Sequence, residues 1–158
     1  MAENGPRKHL ALDTNLLFAL ADGQDFANAF REVFQAAGYA LRFSPTALQE
    51  MVMVELEGEE RERRLASIAL SSVRAWYIRP FDLSSVEEGV AEQFARRLLR
   101  VGSLPYEEFN DALILAETSV AEIPLLVTSD KHLLNIDEDA KAPAIPPAGP
   151  EGGDFCTL

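Results

Sequence analysis

The chain has 158 residues, 47% of them hydrophobic, and a formal net charge of −12. That length and composition fit one globular domain with a real core and exclude a wholly disordered chain. The charge argues against broad, nonspecific binding to phosphate backbones, leaves a local basic surface open, and suits a protein that gathers cations.

The opening segment "MAENGPRKHLALD" holds no apolar core of signal-peptide length. "HLALDTN" (9–15) follows as a short buried strand ending at Asp13. "DFANAFREVFQAAG" (25–38) is predicted to be a helix. Phe26, Ala29, Phe30, Val33, Phe34 and Ala37 form its stripe, with Asp25 as N-cap and Gly38 as C-terminal stop. "YALRFS" (39–44) is a second strand, and "PTALQEMVMVELEG" (45–58) a helix with Pro45 in its first turn. "EERERRLASIALSSVRA" (59–75) is a further helix, and "WYIRPF" (76–81) an aromatic and β-branched third strand. "SSVEEGVAEQFARRLLRVG" (84–102) is a helix with a Ser85-x-x-Glu88 capping box and Gly102 after its end. "PYEEFNDALILAETSVA" (105–121) is another helix, "IPLLVTS" (123–129) the fourth strand, and "KHLLNI" (131–136) a short helix or turn. From Asp137 the chain turns rich in Pro and Gly, a tail without a core of its own. Its single cysteine, Cys156, allows no intrachain disulfide and fits a reducing cytosol. No stretch approaches the ~18 apolar residues of a membrane span, so a soluble, cytoplasmic protein without a membrane partner is expected.

Strands alternate with helices, and no two strands are joined by a hairpin-length loop. That pattern predicts parallel strands with crossover helices on both faces, a three-layer α/β/α sandwich. Ligands of such sheets bind beyond the carboxyl ends of the strands. Asp13 falls at the end of strand one, and Asp130 just past strand four. Glu50 lies in the first turns of the helix after strand two, and Asp111 near the start of the helix leading into strand four. Four carboxylates at one sheet edge would repel or raise one another's pKa values. A divalent cation removes the conflict, and carboxylates without Cys or His suit Mg²⁺ or Mn²⁺. Each acid also has a plainer reading. Asp13 could cap a helix beginning "NLLFAL", Glu50 could be a solvated helix residue, Asp111 a first-turn acid, and Asp130 a cap for "KHLL".

Four segments carry a family resemblance. "LALDTNLLFAL" resembles the opening of PIN-domain nucleases, where a strand ends in Asp-Thr-Asn. "SPTALQEM" is similar to that family's second acidic position, "NDALILAE" to its third, and "LLVTSDKHL" to its last. The resemblance covers roughly residues 8–136, so residues 1–136 form the expected PIN-like domain and 137–158 an acidic tail. It is nearest to the bacterial and archaeal branch that includes VapC-like toxin ribonucleases. Some members carry a further acid a few residues beyond the last motif, where this chain has Leu133 and Leu134.

The resemblance implies a metal-dependent endoribonuclease that hydrolyses RNA phosphodiesters to 5′-phosphate and 3′-hydroxyl ends. It implies Asp13, Asp111 and Asp130 as metal ligands and catalytic acids, with Glu50 binding Mg²⁺ or Mn²⁺ directly or through water. Asn15, Ser129, Thr128 and Lys131 are the candidates for orienting carboxylates or holding phosphate, with Thr14 and Asn110 beside them. It further implies single-stranded or structured RNA as substrate, an antitoxin protein as partner, and a homodimer. The apolar "ALQEMVMVEL" helix could supply a dimer surface or simply pack in the core.

Arg61, Arg63 and Arg64 interleave with acids and suit a solvated face; Arg96, Arg97 and Arg100 are further basic groups. Trp76, Tyr77 and Phe81 suit core strand positions better than base-stacking ones. The competing function is a PIN-like scaffold that binds RNA or a partner without turnover. A phosphatase using Asp13 as nucleophile would want a second Asp where Asn15 stands. A phosphate-receiver domain would need Asp82 as its phosphorylated residue and an acid pair before the first helix.

Overall fold

The computed structural model describes residues 8–128 and 155–157. Five strands and six α-helices build it, in chain order β1 Lys8–Leu12, α1 Thr14–Ala21, α2 Asp25–Ala36, β2 Tyr39–Phe43, α3 Pro45–Glu57, α4 Glu60–Ser72, β3 Ile78–Pro80, α5 Ser85–Arg100, α6 Phe109–Val120, β4 Leu125–Val127 and β5 Phe155–Thr157. A short 3-10 helix, Tyr106–Glu108, leads into α6. The sheet order is β3-β2-β1-β4-β5. β1 to β4 are parallel, and helices flank them in the expected three-layer α/β/α arrangement. β5 is antiparallel to β4, with Val127 opposite Phe155. Three residues of the Pro/Gly-rich segment thus extend the sheet.

Burial explains the strand assignments. Leu10, Ala11 and Leu12 of β1 are fully buried, as befits a central parallel strand covered on both faces. β2 alternates, with Leu41 and Phe43 inward. β3 buries only Ile78 and forms the sheet edge. The core joins these to Leu16 and Leu17 of α1, Met51 of α3, Leu98 of α5, and Ile114 and Leu115 of α6.

Several boundaries differ from the sequence expectation, each for a local reason. The first strand stops at Leu12, one residue before the expected end at Asp13, and the residues after Asp13 form a helix. Asp13 is its N-cap, the plainer of its two expected roles, with extended backbone at φ −72° and ψ 157°. Gln24, not Asp25, caps α2, and Asp25 lies in the first turn, where a negative charge favours the helix dipole. Gly38 sits at φ +90°, a conformation that favours glycine at the turn into β2. The third strand is shorter than expected because Tyr77 adopts φ 58°, breaking extended backbone before Ile78. Its side chain is 77% exposed, so Tyr77 is not a core residue, whereas Trp76 and Phe81 pack partly buried against the core. The α5 capping box is Ser84 with Glu87, one residue before the expected pair. The Ser84 hydroxyl accepts from the Glu87 N–H and the Glu87 carboxylate accepts from the Ser84 N–H. Those bonds hold the Glu87 carboxyl below the usual glutamate pKa of 4.5. "KHLLNI" lies outside the described residues.

The capping register predicts an asymmetry. Ser84→Ala should cost about 1 kcal/mol in urea unfolding, and Ser85→Ala much less. Equal costs would contradict the assigned cap.

Candidate active site

The sheet order places the site. From β1 the chain builds β2 and β3 on one side, then crosses to β4 on the other. The strand order thus reverses direction between β1 and β4, and that switch point is where open α/β sheets bind ligands. Asp13 and Thr128 are the residues immediately beyond these two strands.

Asp13 is fixed from both sides. Its N–H donates to the Val127 carbonyl at 2.9 Å, prolonging the β1–β4 ladder by one residue. Its own carbonyl accepts from Leu16 N–H at 3.1 Å, which starts α1. The side chain is 1% exposed. Its Oδ1 accepts from the Thr14 N–H at 2.7 Å, and its Oδ2 from the Thr128 hydroxyl at 2.6 Å. The Thr14 hydroxyl donates onward to Oε2 of Glu50 at 2.7 Å. A continuous path of hydrogen bonds therefore links β4, β1, α1 and α3. It orients Asp13 and Glu50 through two threonines, and both of these threonines are buried.

Glu50 lies about one helical turn into α3 and is half-buried. It lines a cavity of about 410 Å³ with Thr46, Gln49, Met53, Val54 and Asn110. Asn110 precedes Asp111 in the first turn of α6, so that turn borders the Glu50 cavity. Asp111 is half-buried there. Asp130, Ser129 and Lys131 lie outside the described residues. Among the described residues no three Asp, Glu, His or Cys side chains stand close enough to hold an ion. The donor set present is nonetheless all oxygen, and the buried Asp13 carboxylate is pre-oriented by neutral donors. That chemistry fits a hard divalent cation.

The two remaining candidates for orienting groups are placed elsewhere. Asn15 is exposed and lines the groove beside Leu16, Asp22 and Arg61, and Asn110 is exposed at the Glu50 cavity. Thr14 and Thr128 are the residues that touch the acids. Of the basic runs, Arg61 pairs with Asp22 at 3.6 Å and Arg64 with Glu60 at 3.5 Å, all on the surface. Arg96 pairs with Glu92 at 2.7 Å and lies over the Phe109 ring.

One acid escapes sequence reasoning. Glu117 interrupts the apolar run of α6 and is 7% exposed. Its Oε1 accepts from the Thr46 N–H at 3.0 Å. Burial pushes its carboxyl above the usual 4.5, opposed by bonds from Thr46 and Ser44, and the charge of Glu88 adds to the rise. A signal was present: Glu117 is two helical turns after Asn110, on the same side of α6.

This arrangement belongs to a recognisable class, a parallel sheet whose switch point carries a buried strand-end acid tied through Thr14 to an acid on a neighbouring helix. The chain belongs to the PIN domain family, whose model matches residues 10–139. Its fold is similar to a chain in the crystal structure of VapBC2 from Rickettsia felis bound to a DNA fragment from their promoter. The TM-score is 0.62 at 19% identity, covering 81% of this chain and 92% of that one. No curated protein sequence matches the chain.

Two outcomes are expected. Thr128→Val removes a hydrogen bond to a buried carboxylate and should destabilise the protein by about 1–3 kcal/mol in denaturant unfolding with chelator present. Glu117 carries a raised pKa in the folded state. Its contribution is therefore full below 4.5 and lost as pH rises through the folded value. Glu117→Gln should remove that loss, flattening the stability profile across the weakly acidic range. An unchanged profile would show that another group titrates there.

Proposed function

We propose that this protein is a metal-dependent endoribonuclease. The observation that carries the reading is the hydrogen-bonded path from Thr128 through Asp13 and Thr14 to Glu50, at the switch point of a PIN-family sheet. Asp13, Glu50, Asp111 and Asp130 are the acids assigned to the catalytic ion, Mg²⁺ or Mn²⁺. When bound, the ion supplies charge stabilisation at the scissile phosphate and a lowered pKa for the attacking water. Thr128 and Thr14 hold the Asp13 and Glu50 carboxylates in single orientations, so little reorganisation accompanies ion binding. Ser129 and Lys131, next to Asp130 in sequence, are assigned to the phosphate.

The substrate strand needs a local surface of the right character on an acidic protein. A cavity of about 760 Å³ between α5 and the 3-10 helix supports such a path. Arg96, Arg100, Gln93 and the largely exposed Tyr106 line it. It adjoins Phe109, which opens the helix that carries Asp111. Guanidinium groups suit phosphate, and an exposed aromatic ring suits an unstacked base.

The likeness to VapBC2 supports a toxin role with an antitoxin partner; a homodimer is proposed beside it. Val52, Met53 and Leu56 on α3 are exposed, Leu56 by 68%, whereas Ala47 and Met51 enter the core. The apolar α3 segment is therefore only partly used for core packing, which supports a partner on its outer side.

The test is cleavage of a mixed pool of labelled single-stranded RNAs with Mn²⁺, Mg²⁺ or chelator. The wild type should cleave only with metal, leaving 5′-phosphates. Asp13→Asn should lose turnover by at least about a thousandfold while remaining folded, since the Asn oxygen can accept from the Thr14 N–H and its amide can donate to the Thr128 hydroxyl. Metal-independent cleavage, or full activity in Asp13→Asn, would refute the proposal. RNA binding without cleavage would favour the non-catalytic scaffold.

A further inference from the structure

The N-terminus of α3 is capped from two directions. Pro45 has no N–H. The Ala47 N–H donates to the Ser44 hydroxyl at 3.1 Å, and the Leu48 N–H to the Ser44 carbonyl at 3.1 Å. The remaining first-turn donor, the Thr46 N–H, goes to Glu117, which comes from a different helix 71 residues away. Local sequence thus supplies all of the cap except one bond, and that bond is made by a buried carboxylate. An apolar side chain would avoid the cost of burying a charge but leave the Thr46 N–H unsatisfied, and a neutral acceptor would meet that need without the charge. A negative group at this helix end is favoured by the dipole, but only modestly. Stability alone is a poor reason for an acid in this place.

Position supplies a better reason. Thr46 and Glu50 are one turn apart on the same side of α3, and Asn110 and Glu117 are two turns apart on the same side of α6. The two helices pack along these sides. Glu117 joins them at one end. Beside this junction lies the cavity of about 410 Å³ that Thr46, Glu50 and Asn110 line together. The Thr46–Glu117 bond therefore governs how α3 is turned against α6. That turn sets where Glu50 stands relative to Asp111.

We propose that Glu117 is a positioning residue that holds Glu50 against Asp111 for ion binding. This rests on the metal-dependent reading above. The reach of the acceptor oxygen is the operative property, and the charge is secondary. Gln preserves the reach, and Asp withdraws it by one methylene while preserving the charge.

The test is Mn²⁺ titration by calorimetry on wild type, Glu117→Asp and Glu117→Gln, each in the native and the Glu50→Ala background. Thermal melts in chelator confirm folding. Glu117→Asp should weaken Mn²⁺ binding about tenfold, and Glu117→Gln should stay within about twofold of wild type. In the Glu50→Ala background the difference between the two should vanish, because the group being positioned is gone. Wild-type affinity in Glu117→Asp would overturn the proposal. So would a loss that persists without Glu50, or failure of both variants to fold, which would make Glu117 a residue of the fold alone. If the wild type itself bound no Mn²⁺, the metal-dependent reading would fail first and this proposal with it.

Discussion

A buried carboxylate at the end of a central parallel strand must be given hydrogen-bond donors, and Asp13 takes them from two elements at once. The first N–H of α1 and the Thr128 hydroxyl beyond β4 meet its two oxygens. The same residue closes the β1–β4 ladder and opens α1 through its backbone. Moving Asp13 would therefore disturb a strand pair and a helix start together. The rest of the site inherits this rigidity, since Thr14 follows Asp13 directly and holds Glu50. Rigid placement matters for carboxylates that must accept a cation, because flexible acids would simply turn apart.

The second acid-bearing element, α3, is held differently. Glu50 has one bond to Thr14, and its helix is anchored at Thr46 by the buried Glu117. The site is thus assembled from a sheet edge that packing makes inflexible and a helix that two polar contacts orient. The outer side of that helix stays exposed at Val52 and Leu56. One element therefore contributes an acid inward and an apolar surface outward.

Much of this was legible in the sequence because the signals were local. The run Leu10–Leu12 followed by Asp marks a buried parallel strand with a polar end. Pro45 and Gly38 mark a helix start and a turn. Where the sequence misleads, two local patterns compete or the partner is remote. "SSVEE" offers two overlapping capping boxes, and backbone geometry chooses Ser84 with Glu87. Asp13 suits either a strand-end acid or a helix cap, and it is both, since its side chain caps α1 at the Thr14 N–H. Tyr77 resembles a strand residue by type, yet its positive φ turns it outward. β5 pairs with a strand some 30 residues earlier in the chain, so no short-range pattern announces it. Glu117 is the clearest case. Its donors, the Thr46 N–H and the Ser44 and Thr46 side chains, sit at the start of another helix about 70 residues earlier, so local sequence does not connect them to it.

The claim beneath all of this is that the edge beyond β1 and β4 is a cation site. Anomalous diffraction from crystals soaked in Mn²⁺ addresses it most directly. The account predicts a peak within ligand distance of the Asp13 carboxylate, flanked by Glu50 and Asp111. A peak elsewhere on the acidic surface, or none with the crystal intact, would contradict it.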